Sequence, residues 1–195
     1  MDNNPRIIQG KFKGRKLKVP QQGTRPFTDR VKKTLFDILQ GLVEGRTVLD
    51  LFAGSGNLGI EALSADASHA TFVDDSMEAI KSISENIHQL QIEHFTNVVK
   101  SDYLKFIKTN KEAFDIIFID PPFKLIKKLN FEDFLPLMHQ DTLIVFKSNK
   151  ELNKADFPLE VLDERKMGVN YLYFLKKRVQ THSNYAKMPG DTVDQ

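Results

Sequence analysis

Apolar residues follow two regimes along this chain. Val31, Leu35, Ile38, Leu39 and Leu42 fall on one face of a helix that Thr28 or Asp29 can cap and that ends near Gly41 and Gly45. From Thr47 onward, short apolar runs take turns with amphipathic stretches. Residues 47–51 (TVLDL), 70–73 (ATFV), 97–100, 114–119 (FDIIFI) and 142–146 (TLIVF) read as five buried strands. Helices are predicted over 57–64, through Met77, Ile80, Ile83, Ile87 and Leu90, over 103–109 and over 131–137. Two further strands, 159–164 and 171–175 (YLYFL), are joined through Gly168 and predict an antiparallel hairpin at the sheet edge. Repeated strand–helix units imply an α/β fold, a parallel sheet with helices on both faces.

The first residues behave differently. In 6–19 (RIIQGKFKGRKLKV), Ile7, Ile8, Phe12, Leu17 and Val19 interleave with cations, which predicts two short strands about Gly10 and Gly14, closed by Pro20. This gives a basic β-hairpin extension over 1–24, a main domain over 25–178, and a tail over 179–195 with no periodicity, read as disordered. A chain of 195 residues has room for one well-buried domain with a small appendage.

Charge sharpens that division. Residues 1–33 carry ten Lys or Arg against Asp2 and Asp29, a balance of +8, and the whole chain is only +2. A basic arm on an acidic body suggests a polyanionic partner, with Arg6, Lys11, Lys13, Arg15, Lys16, Arg25 and Arg30 as candidate contacts; a solvated basic hairpin is the plainer alternative. The absence of Cys excludes disulfides and thiolate metal sites, and five scattered His give no metal-ligand spacing, so no metal is expected. No leader-like or membrane-length apolar run occurs, which makes a cytoplasmic protein the expectation, and a monomer is expected too.

Two motifs carry chemistry. Ala53-Gly54-Ser55-Gly56-Asn57-Leu58-Gly59 follows a strand and opens a helix, and Asp74 lies 20 residues beyond Gly54. That is the Gly-x-Gly-x-x-Gly pattern of a loop cradling an adenosine-containing ligand, with an acid at the second strand for ribose hydroxyls. A glycine turn without a ligand is the alternative. Asp50, just before the loop, would repel a pyrophosphate and suits the cationic amino-acid part of S-adenosylmethionine (SAM) better.

The second motif, Asp120-Pro121-Pro122-Phe123, follows the most apolar strand and so falls on the carboxyl edge of the sheet. Prolines there could simply end a strand. Yet an exocyclic base amine is a poor nucleophile that must be oriented. Asp120 can accept one N–H, a rigid carbonyl at Pro121 can accept the other, and Phe123 can stack an unpaired or flipped base, worth about 1–3 kcal/mol.

With arm, loop and DPPF in place, the chain resembles the bacterial RsmD-type family, which methylates N2 of a guanine in small-subunit ribosomal RNA. The carrying segments are RIIQGKFKGRKLKVP (6–20), RPFTDRVKKTLFDIL (25–39), DLFAGSGNLGIEALS (50–64) and DPPF (120–123). The resemblance implies a Rossmann-like class I SAM-dependent methyltransferase sheet, SAM as cofactor, and ribosomal RNA, the small subunit or an assembly intermediate as partner. It places Phe52, Ala53, Gly54, Ser55, Gly56 and Gly59 around the methionine part of SAM, Asp74 at its ribose, Asp102 at its adenine amine and Asp120–Phe123 at the target. Asp102 alone could equally cap the following helix. Phe27, Ser76 and Lys147-Ser148 depart from the family pattern, the last replacing an acidic end to the fifth strand; these departures are expected to leave the DPPF and glycine loop untouched. Methylation of another RNA or DNA base amine, an NAD-dependent oxidoreductase and a non-catalytic RNA-binding protein are the alternatives. The first lacks room here for a DNA target-recognition domain, the second a His/Lys or Tyr/Lys pair for hydride chemistry, and the third would not need Asp120.

Overall fold

The computed structural model describes residues 4–20 and 28–178. Thr28 caps α1 (Asp29–Ile38), accepting the Val31 N–H through its hydroxyl at 3.4 Å, and Val31, Leu35 and Phe36 turn inward. The strand–helix alternation follows as β1 (Thr47–Asp50), α2 (Asn57–Ser64), β2 (His69–Asp74), α3 (Met77–Leu90), β3 (Thr96–Lys100), α4 (Tyr103–Thr109), β4 (Phe114–Ile119), a four-residue α5 (Phe123–Ile126) and β5 (Met138–Ser148). The chain then folds back as β6 (Glu160–Met167) and β7 (Asn170–Lys176).

The strands form one seven-stranded sheet in the order β3-β2-β1-β4-β5-β7-β6. Pairing is parallel from β3 through β5 and antiparallel for β5–β7 and β6–β7, so the expected terminal hairpin is present. Its turn is Gly168-Val169, and Gly168 takes φ +65°, a conformation that suits glycine.

Period-two alternation splits the buried strand residues between two cores. Val48, Phe72, Ile116 and Phe118 pack with α1, α2 and α3 on one face. Leu49, Val73, Ile117 and Ile119 pack with Phe106 of α4, Ile126 of α5 and the aromatic group Phe131, Phe134, Phe146, Phe157 and Tyr173 on the other. Residues 131–137 form the short helix read there, of the 3-10 type with Pro136 inside it; proline has no N–H to close an α-helical bond.

The N-terminal strands are the main difference from expectation. Only an isolated antiparallel bridge, Arg6 with Lys16, joins the two arms of this segment, with flanking bonds such as Ile7 N–H to the Arg15 carbonyl at 2.9 Å. Several of its amides go to α2 instead: Ile8 and Gln9 N–H donate to Glu61 Oε1 at 2.8 and 3.0 Å, and Phe12 N–H to Ser64 Oγ at 3.0 Å. A ladder cannot form from donors already spent on a helix. Ile7 and Leu17 join the α1–α3 core, so the segment is stitched to the main fold. The 21–24 end of the extension and the tail expected over 179–195 lie outside the described residues. No described helix is long and apolar enough to cross a membrane.

Candidate active site

From β1 the chain moves outward to β2 and β3 on one side, and β4 and β5 lie on the other. That reversal opens a crevice beyond the carboxyl ends of β1 and β4, where open α/β sheets hold ligands. Asp50 ends β1, Asp74 ends β2, Asp102 follows β3, Asp120 follows β4, and Lys147 is the next-to-last residue of β5.

The glycine loop spans β1 and α2. Gly54 and Gly56 have φ of +56° and +76°, which explains glycine at both, and Gly56 is the N-cap of α2. A Cβ on Gly54 would meet nothing within 4 Å, so its backbone lies open to a ligand. Gly59 serves packing instead: a Cβ there would come within 2.3 Å of the buried Phe72 ring on β2. Asp50 Oδ2 accepts the Gly59 N–H at 3.0 Å, and Asp74 Oδ2 accepts the Gly54 N–H at 2.8 Å, so two carboxylates brace the loop from beneath. Asp74 Oδ1 accepts the Ser76 N–H at 2.9 Å, and the Ser76 hydroxyl caps α3.

Electrostatics make this a place for a cation. Burial pushes the Asp50 carboxyl up to about 7; the Gly59 N–H opposes the rise, and nearby Asp120 and Asp74 add to it. Burial also raises Asp74, against the N–H groups of Ser76 and Gly54. Carboxyls in this state gain from a positive ligand and would be worsened by a pyrophosphate. The open Gly54 backbone and the buried carboxyls beneath it thus fit SAM, with its sulfonium and ammonium, better than the pyrophosphate of a dinucleotide. Phe52 is half-buried against Tyr103, ring centroids 5.2 Å apart, while Ala53 and Ser55 are buried in the loop. The Ser55 carbonyl accepts from Asn86 Nδ2 at 3.0 Å. Asp102 is the N-cap of α4, accepting the Lys105 N–H at 3.1 Å, and it is exposed at the same sheet edge as Asp74.

At the other lip, Pro121 is buried, Pro122 is the N-cap of α5, and Phe123 is 53% exposed with its ring available to a stacking partner. Burial raises the Asp120 carboxyl, and Lys147 opposes this. Lys147 Nζ lies 2.7 Å from Asp120 Oδ1. This corrects one expectation: the departure at Lys147 does touch the DPPF, because β4 and β5 pair as Ile119 with Phe146, which makes Asp120 and Lys147 the next neighbours across the sheet. Strand-end position and parallel register were the signals that could have found it.

The basic residues sit on the α2–α3 side. Arg6, Lys11, Lys13, Arg15, Lys16 and Arg30 are all exposed, and Arg25 lies outside the described residues. Part of their charge is answered locally: Lys11 pairs with Asp66 at 2.5 Å and Arg15 Nη2 donates to the Gln89 carbonyl at 3.2 Å. Two polar hubs, unread in the sequence, tie the segment to the loop. Buried Lys32 bonds the Arg6 carbonyl, Asn57 Oδ1 at 2.9 Å and Glu61 Oε2 at 3.1 Å. Asn86 bonds both backbone groups of Lys18 as well as Ser55.

A family model described as conserved hypothetical protein 95 matches residues 5–176. The chain is 35% identical over 182 residues to YlbH of Bacillus subtilis, provisionally described as an rRNA methyltransferase, covering 89% of this chain and 99% of that one. It is 41% identical over 120 residues to ribosomal RNA small subunit methyltransferase D of Escherichia coli, a match spanning 61% of this chain and 60% of that one. Among solved structures, yhhF from Escherichia coli, provisionally described as a methyltransferase, superposes with a TM-score of 0.80 at 32% identity, over 91% of this chain and 100% of that one.

Proposed function

We propose, since the chain belongs to the RsmD-type methyltransferase family described as conserved hypothetical protein 95, that it methylates the exocyclic N2 amine of a guanine in small-subunit ribosomal RNA, with SAM as methyl donor. The observation that carries this reading is the placing of Asp120, at the end of β4, beside Asp50 and across the crevice from the glycine loop. The relatives' description as ribosomal RNA small subunit methyltransferase D supports the choice of substrate, and the exposed cations Arg6, Lys13 and Arg30 support a polyanionic partner.

SAM, when bound, supplies a methyl carbon on a positively charged sulfur and departs as the neutral thioether. Asp74 and Asp102 would face its ribose and adenine, and residues 52–59 its methionine part. Phe123 stacks the unpaired target base. Asp120 accepts one N–H of the amine and the Pro121 carbonyl accepts the other, which aims the nitrogen lone pair at the methyl carbon. As that lone pair becomes the new N–C bond, the nitrogen turns positive, and Asp120 takes up the proton it sheds.

The test is transfer of labelled methyl from SAM to small ribosomal subunits from cells lacking this enzyme, with nuclease digestion and mass spectrometry to locate the label. N2-methylguanine in small-subunit RNA is expected, and Asp120→Ala should abolish transfer while SAM still binds. Label on an adenine or cytosine amine, or on DNA alone, would overturn the reading.

A further inference from the structure

We propose that Lys147 is a positioning residue for Asp120: its ammonium engages Oδ1 and fixes the carboxyl group, leaving Oδ2 to receive the target amine. The inference rests on the function proposed above.

Geometry comes first. Asp120 and Lys147 follow the last paired residues of two parallel neighbours, Ile119 and Phe146, so the backbone itself brings them together at the sheet edge. The 2.7 Å separation is that of a short charge-assisted bond. Lys147 is only 8% exposed, so its stem is packed and the ammonium is restrained where it meets Oδ1. The pairing turns a side chain that could rotate into one with a defined oxygen left over.

Charge comes second. Lys147 on β5 acts on Asp120 directly, and Asp120 together with Asp74 of β2 acts on Asp50 of β1. Burial favours a protonated Asp120, and Lys147 works against it. The protonation state matters, because a neutral carboxyl has lost acceptor capacity and can no longer take up the amine's proton. Stability alone does not account for the pair, since a well-packed apolar replacement for a buried ion pair is often at least as stable.

The experiment compares wild type with Lys147→Arg, Lys147→Met and Lys147→Glu. For each, kcat/KM for methyl transfer to small subunits is measured against pH. Binding of S-adenosylhomocysteine by calorimetry confirms a folded site. The Asp120 carboxyl carbon is titrated by NMR without substrate, its signal identified by its loss in Asp120→Asn. Wild type and Lys147→Arg should share an acidic limb, Lys147→Met should move it up by about 1–3 pH units, and Lys147→Glu should move it further. The carboxyl titration should move in the same order. Coincident limbs and titrations in wild type and Lys147→Met would overturn the proposal, as would a loss of rate that is uniform with pH. Should wild type transfer no methyl to small subunits while the titration still follows Lys147, the function proposed above fails and the pairing stands.

Discussion

Replacing Asp50 by Asn isolates the cost of burying a carboxylate under the glycine loop. Asp50 is 2% exposed, and its carboxyl is pushed from 3.8 to about 7, chiefly by burial. A folded-state value above the unfolded one means that the native protein holds this proton more tightly than the unfolded chain. The associated stability is therefore present in acid and lost as pH rises through about 7. A shift of this size corresponds to about 4 kcal/mol in full, of which about 3 kcal/mol falls between about pH 4.5 and about pH 8.5. The Asn oxygen can still accept the Gly59 N–H, now bonded at 3.0 Å, and it does not ionise. Any cost of housing the amide NH2 is the same at every pH and drops out of the comparison. Urea denaturation at a series of pH values should show the advantage of Asp50→Asn over wild type growing by about 3 kcal/mol across that window. Parallel stability curves for the two proteins would refute the reasoning.

Three other perturbations test separate parts of the structure. Gly59→Ala would drive a Cβ to 2.3 Å from the Phe72 ring, which is fully buried and cannot swing away, so denaturation should show a loss of about 1–3 kcal/mol. An unchanged midpoint would mean that α2 and β2 are less tightly apposed. Phe123→Ala removes a ring that is 53% exposed; stability should hold within about 0.5 kcal/mol while kcat/KM for RNA falls by the equivalent of about 1–3 kcal/mol, and equal kcat/KM would count against base stacking there. Lys32→Met strands Glu61 without its cation, both side chains being 0% exposed, and should cost about 3–5 kcal/mol in chemical denaturation. Most of that loss should return in the double variant with Glu61→Gln, whose oxygen can still serve the Ile8 and Gln9 amides.

Much of the site was legible because its parts are local. The helices 57–64 and 103–109 and the strand 114–119 have the bounds their apolar patterns imply, and the glycines at 54 and 56 stand where φ is positive. Asp102 caps α4 at the spacing that suggested it, through the Lys105 N–H. The N-terminal segment keeps a single antiparallel bridge where two strands were expected, since alternation of Ile7, Phe12 and Leu17 with cations gives no sign that several of its amides are spent on Glu61 and Ser64. The 131–137 helix has the bounds read for it, but its 3-10 type was not legible, because apolar spacing does not distinguish a 3-10 helix from an α-helix.

The sequence by itself determined the order of elements, the edge of the sheet on which Asp50, Asp74 and Asp120 fall, and the chemistry those residues could support. Each depends on periodicity, turn residues and position at a strand end, which neighbours along the chain set. Only the tertiary structure decided what those groups meet. Lys147 reaches Asp120 across 27 positions because β4 and β5 run parallel in one register, and Lys32 reaches Glu61 across 29 because α1 packs on α2. Ion pairing and burial act through space, so the protonation of Asp50 and Asp120 and the destination of the N-terminal amides follow from which element covers which.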